Sequence, residues 1–342
     1  MRTAQKVTVK ETTCNRFEGA PALACLAGFP ILGPLTPCAL AQNQTFPARP
    51  VRLIVPYGPG TVSDASARLL AERLAEAWGV GVVVENLTGA GGVVGAQAIA
   101  KAPPDGHTLG MLASNHAMNA ALYGNLPFDP VKDFRPLLHT TYNQFAFCVH
   151  PSVPAQSLRE LVALAKAQPN FVTYSSSGNG GSPHLAMAKL AYMAGVKMLH
   201  VPYKTNGAAV TDLLSGQVMA LATSVSVLAP HVKTGKLRAL AVSGDVRSPM
   251  LADVPTANEA GVTGYSMTNW NGIVAPAGLP APLAKRLVAD MTRVMKDPRM
   301  VEKVSALGAE IELLTADDFE RKLRQEIVSW TQVVKATGVK AD

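Results

Sequence analysis

Val55-Pro56-Tyr57-Gly58-Pro59-Gly60-Thr61-Val62-Ser63-Asp64 and Tyr174-Ser175-Ser176-Ser177-Gly178-Asn179-Gly180-Gly181-Ser182-Pro183-His184 share one design. Each is an apolar strand that runs into a Gly/Pro/Ser-rich turn and then into a helix. Such a turn exposes backbone N–H groups beside a helix N-terminus, a ready place for an anion. Neither stretch carries an evident nucleophile–base pair or a metal cluster. Two turns of this kind in two halves of a chain point to a clamp for a carboxylate-type ligand, not to a catalyst.

Outward from these turns, strands and helices alternate. Val51 to Val55 is a continuous apolar run of buried-strand length, and the helix from about Asp64 to Trp78 carries Leu70, Leu74, Ala77 and Trp78 as one stripe. Val80 to Glu85 and Thr108 to Ala113 read as strands, with a helix from Gly92 to Ala102 between them. A second set opens at Gln144, with a capping box at Ser157-Leu158-Arg159-Glu160. Repeated βα units imply parallel sheets covered by helices, with ligands at the carboxyl ends of the strands. A boundary near 143 and a return near 268 give two lobes joined by crossing strands: 46–143 and 268–342 for the first lobe with the C-terminal helices, 144–267 for the second.

The first forty residues differ in kind. Arg2, Lys6, Lys10 and Arg16 precede an apolar stretch from Ala20 to Leu32, and Ala39-Leu40-Ala41 matches an A-x-A cleavage pattern. Residues 1–41 are expected to be a signal peptide, cleaved near Ala41, with the mature protein in the periplasm. Cys25 and Cys38 stand in poor contexts for lipid attachment. The leader carries four basic and two acidic residues, so its loss lowers the net charge from +7 to +5. That excess is spread along the chain, without the basic runs and interleaved aromatics of a nucleic-acid binder. Elsewhere no uninterrupted apolar run reaches the roughly 18 residues of a spanning helix. Cys148 alone remains after cleavage, beside Phe147 and Val149, and reads as a buried small hydrophobe.

The ordered motifs go further. Arg52-Leu53-Ile54-Val55-Pro56-Tyr57-Gly58-Pro59-Gly60 precedes Asp64 and Arg68, then Glu85-Asn86 and Gly89-Ala90-Gly91-Gly92. Pro104-Asp105-Gly106-His107-Thr108-Leu109, the 175–185 stretch, His200-Val201-Pro202-Tyr203-Lys204 and Trp270-Asn271-Gly272 follow. From about Pro47 to Asp342 the chain resembles the Bug family, the periplasmic solute-binding subunits of tripartite tricarboxylate transporters. The resemblance implies an α/β, two-lobed periplasmic-binding-protein (Venus flytrap) fold. Its members capture a carboxylate through backbone N–H groups and ordered waters and deliver it to membrane subunits. Carried over, the ligand-binding positions are Tyr57, Gly58, Gly60, Thr61 and Asp64 in the first turn, and Gly89, Ala90 and Gly91 in the second. From the other lobe come Ser177, Gly178, Asn179, Ser182 and His184, with Trp270 at the return crossing. The family pattern Pro-Phe-Pro-Pro-Gly-Gly is altered here to Pro56-Tyr57-Gly58-Pro59-Gly60-Thr61, so the identity of the carboxylate does not carry across.

Each of these residues also has a plainer reading. Asp64 would repel an anion and serves as a helix-start carboxylate, paired with Arg68 one turn on. Gly89 to Gly95 imitates a dinucleotide fingerprint but follows the second strand, without the acidic residue a nucleotide site needs. Ser182 and His184 lie too close in sequence for a catalytic pair, and the nucleophile-elbow motif is absent. Trp270 suits a strand core as well as a cleft. The histidines are scattered without metal-ligand spacing. The chain is thus expected to be a monomeric binding protein, with no enzymatic activity, no cofactor and no metal. A carboxylate sensor that signals to a membrane partner without transport needs the same clamp; a hydrolase is the weaker alternative.

Overall fold

The computed structural model describes residues 46–340; the expected signal peptide lies outside the described residues. Strand β1 (Val51–Val55) is buried at every position except Arg52, whose guanidinium pairs with Glu85 on β2 (Val82–Asn86). Helix α1 (Val62–Trp78) starts where Thr61 Oγ1 accepts the Asp64 N–H and stops at Gly79 in the left-handed region, φ 69°. Its buried face is Ala67, Leu70, Ala71 and Leu74. Ala77, expected in that stripe, is exposed, and Trp78 is half-buried with its indole N–H on Asp290. Ala77 lies in the last turn before Gly79, beyond Leu74, where the buried face of the helix ends.

After α2 (Val93–Ala100) come β3 (Thr108–Ala113) and α3 (Asn115–Leu122). Strand β1 is parallel to both β2 and β3, as expected of βα units. The central element is β4 (Phe134–Val149). Its first part runs antiparallel to β9 (Thr268–Pro276) and β10 (Glu310–Leu314). Its last part runs antiparallel to β7 (Ala220–Ser224) and β8 (Arg238–Val242). Gln144 pairs with Thr268 and the next residue, Phe145, with Ser224, so the strand leaves one set and enters the other between them. Beyond β7 lie β5 (Thr173–Ser176) and β6 (Leu199–Pro202), both parallel, giving the order β2-β1-β3-β9-β4-β7-β5-β6. Each end of the sheet is parallel, as the βα repeat implies; the crossing itself is antiparallel.

Helix α5 (Ser182–Ala194) follows β5, and α8 (Ala281–Met295) and α10 (Ala316–Thr337) follow β9 and β10. Trp270 is fully buried between the sheet and α10: its ring meets Phe319 edge-on at 5.1 Å and its N–H donates to Glu326 at 2.7 Å. The core reading of this tryptophan is the one the structure shows. Next to it, a Cβ on Gly272 would stand 2.3 Å from Phe319 Cζ, so only glycine lets α10 lie this close to β9. Gly272→Ala should therefore cost roughly 1–3 kcal/mol of overpacking. Gly207→Ala, in helix α6 (Asn206–Leu214) with open space around the new methyl, should be neutral or stabilising. Urea unfolding of the two variants checks the contrast, and equal effects would contradict it.

Candidate ligand cleft

Turn 56–61 is shaped from within by one carboxylate. Asp64 is 3% exposed; its Oδ2 accepts the Gly60 N–H at 2.9 Å and Arg68 Nε at 3.1 Å, and its Oδ1 accepts Asn86 Nδ2 at 2.9 Å. The same Asn86 amide donates to the Tyr57 carbonyl at 2.9 Å, and Thr61 Oγ1 donates to the Gly58 carbonyl at 2.9 Å. Burial alone would raise the Asp64 carboxyl, but the hydrogen bonds from Arg68, Gly60 and Asn86 outweigh it and hold it below its ordinary value. The Gly60 N–H, expected to face a ligand, is engaged by Asp64. Tyr57 reaches under the turn, where its hydroxyl accepts the Ala113 N–H at 3.0 Å at the end of β3. Burial pushes its phenol well above the usual range, so it stays protonated and keeps a proton to donate.

The second turn lies against the first. Ala90 and Gly91 have φ of 45° and 64°, and a Cβ on Gly92 would stand 3.0 Å from the Tyr57 ring. The Gly92 and Val94 N–H groups bond to the Gly89 carbonyl at 2.9 and 3.4 Å and close the turn, and Ala90 holds its positive φ at a cost glycine avoids. Asn119 Nδ2 donates to the Gly91 carbonyl at 3.1 Å. The third turn, 177–181, ends at Ser182, whose hydroxyl donates to Asn115 Oδ1 at 3.2 Å and lies 3.7 Å from the Met118 sulfur. Gly178 N–H is bonded to Ser176 Oγ and Gly180 N–H to His184 Nδ1, so these two donors also point into their own turn. Ser177 is half-buried and Asn179 exposed.

All three turns therefore meet the same short corner of the chain, Ala113 to Asn119. Tyr57 reaches Ala113, Asn119 holds Gly91, and Ser182 touches Asn115. Beneath that corner run two chains of neutral polar side chains that sequence reasoning missed. Ser63 bonds to Asn271, whose Nδ2 donates to Thr141 Oγ1 at 3.1 Å. Ser114 Oγ donates to Asn269 Oδ1 at 2.6 Å, Asn269 Nδ2 to Asn143 Oδ1 at 3.3 Å, and Asn143 Nδ2 to Ser224 Oγ at 3.1 Å. The available signal was the pair of asparagines flanking Trp270, since polar residues in a buried strand must find partners. Asp64 and Arg68 are the charged side chains named here, and they neutralise each other.

As for catalysis, Ser182 and His184 are not bonded to one another but to Asn115 and Gly180. Ser176 Oγ and His200 Nε2 are 2.6 Å apart, yet Ser176 is fully buried and no substrate can reach it. Among the described residues, no group of three or more His, Cys, Asp and Glu side chains is placed to hold a metal ion.

The profile of the tripartite tricarboxylate transporter family receptor fits residues 66–339. The chain belongs to this receptor family. BugT of Bordetella pertussis is 33% identical over 304 residues, spanning 88% of this chain and 93% of BugT. An R. palustris protein solved with adipate is 32% identical with a TM-score of 0.74, over 87% of the receptor and all of that chain. MatC of Rhodopseudomonas palustris, solved with malate, is 29% identical with a TM-score of 0.71, over 84% of the receptor and all of MatC. These likenesses confirm the α/β fold of periplasmic solute-binding proteins.

The Asp64 network makes a pH-dependent contribution to the receptor's stability. Its folded-state value is depressed, so the contribution is complete above the unfolded value of about 3.9 and is lost as pH falls through the lower folded value. Asp64→Asn should be destabilised relative to wild type at pH 7, with the gap narrowing below about pH 4. Urea midpoints at pH 7 and pH 3 check this; an unchanged gap would contradict it.

Proposed function

We propose that the receptor captures a small organic carboxylate between turns 57–61, 89–92 and 177–182 and delivers it to the membrane subunits of a tripartite tricarboxylate transporter. The observation that carries this reading is the convergence of the three turns on Ala113 to Asn119. The first turns of α1 and α5 bring N–H groups that lack helical acceptors, with the positive helix ends behind them. Anion recognition there needs no lysine or arginine. Relatives solved with adipate and malate support the carboxylate class. The contacting set is Tyr57, Gly58, Thr61, Gly89, Ala90, Gly91, Ser177, Asn179 and Ser182, with Asp64, Gly60, Gly178 and His184 shaping the turns from behind. The protein is a binder without enzymatic activity, exported to the periplasm. Its lobes, 46–143 with 268–342 and 144–267, close about the crossing of β4 and β9, because a ligand touching both favours the closed form.

A carboxylate panel including adipate and malate, tested against neutral sugars and amines by thermal shift and calorimetry, decides the reading. A bound carboxylate at about 100 times its Kd should stabilise the fold by roughly 2.7 kcal/mol. Gly91→Val should abolish the shift while leaving helical content intact. Stabilisation by neutral ligands alone would overturn the anion reading. Intact mass of periplasmic material should begin near Gln42, and recovery of the whole chain in the cytoplasm would overturn export.

A further inference from the structure

His184 opens α5 and His200 lies in β6, and their rings are stacked, centroids 3.7 Å apart and planes 12° from parallel. Tyr174, the cross-strand partner of His200, stacks on it at 5.0 Å. Both histidines hold turn 177–181. Gly180 donates its N–H to His184 Nδ1 at 3.1 Å. His200 Nε2 is 2.6 Å from Ser176 Oγ, which in turn accepts the Gly178 N–H at 3.2 Å. The backbone of the third turn is thus tied at two alternate residues to imidazoles, directly at Gly180 and through one hydroxyl at Gly178.

An imidazole nitrogen that accepts a hydrogen bond carries no proton. Protonating His184 at Nδ1 would set an N–H against the Gly180 N–H and replace attraction by repulsion. A second proton on the pair would place two positive rings in van der Waals contact. The ionisable side chains that line the same cavity as the rings include Tyr174 of β5, Tyr192 of α5 and Lys197 ahead of β6, and the end of α10 contributes Ala336, Thr337 and Val339. Lys197 adds to the positive side of that balance. A cavity of about 570 Å³ bounded by both rings gives water access to them.

We propose that His184, stacked on His200, positions turn 177–181 for ligand capture only while its Nδ1 carries no proton, so that acidification through the imidazole range loosens the turn and weakens capture. The consequence for ligand rests on the carboxylate-capture reading; the positioning of the turn does not.

The first measurement is made on ligand-free protein: the amide-exchange protection factor of Gly180 and the nitrogen-15 shifts of both imidazoles from pH 8 to pH 6. Protection should fall by about threefold or more as the rings take up a proton. The second is calorimetry with adipate at the same two pH values, where a carboxylate remains ionised. Affinity should fall by a similar factor in the wild type. In His184→Asn, whose amide oxygen replaces Nδ1 as acceptor without titrating, the affinity at pH 6 should equal that at pH 8, whatever its absolute value, and a fall like that of the wild type would overturn the proposal. Unchanged Gly180 protection in the wild type overturns the proposal whatever adipate does, as does falling protection with unchanged adipate affinity. Falling protection with no adipate binding at either pH supports the positioning and counts against adipate as ligand.

Discussion

A single strand, β4, must satisfy the backbone donors and acceptors on both of its edges in two different surroundings. Unpaired buried amides are costly, so β9 and β10 have to flank its first part and β7 and β8 its last. That requirement fixes where the two strand sets meet, and with it where the carboxyl ends of β3 and β7 face each other. The polar chains from Ser63 through Asn271, and from Ser114 to Ser224, occupy that meeting place because side chains there are buried yet border a polar cleft. Removing any link would strand a partner amide or hydroxyl, which costs more than the bond contributes when intact.

The turns above this floor are pre-shaped. Asp64, Asn86, Thr61, Ser176 and His184 engage part of the backbone hydrogen-bonding capacity of the loops they support. What remains for a ligand is a smaller set of donors held in fixed directions. Pre-organisation of this kind reduces the entropy lost on binding, so modest neutral contacts can give useful affinity. It also explains how Asp64 can stand behind the proposed anion site: Arg68 neutralises its charge and its oxygens are occupied.

Much of this was legible in the sequence. Ser157 announces the start of its helix, because a cap is a local interaction within a few residues, whereas the first helix, expected from about Asp64, starts at Val62 with Thr61 as its cap. The strand-turn-helix pairs followed from periodicity, and the solute-binding fold from the family resemblance that the ordered motifs carry. Three things did not. The first part of β4 is broken by Arg135, His139, Thr140 and Asn143, so its pattern matches neither an alternating nor a continuous strand; its polar residues find partners over a hundred positions away. Trp270 gave equal weight to core and cleft until the Phe319 ring and the Glu326 carboxylate of α10 were placed beside it. His184 was a ligand-binding candidate in sequence, whereas its stacking partner His200 is brought to it by the fold, on the strand that pairs with β5.

The path of the chain through β4 also sets an order of assembly. Strand β3 is completed by β9, and β4 by β9 and β10, so the first strand set stays open along one side until nearly the whole polypeptide has been made. The intervening residues, by contrast, build β5 to β8 as neighbours close in sequence, and can pair on β4 as they emerge. During synthesis the amino-terminal portion is therefore the last to become a finished sheet. A chain arranged this way closes its first strand set only when its carboxyl-terminal quarter arrives.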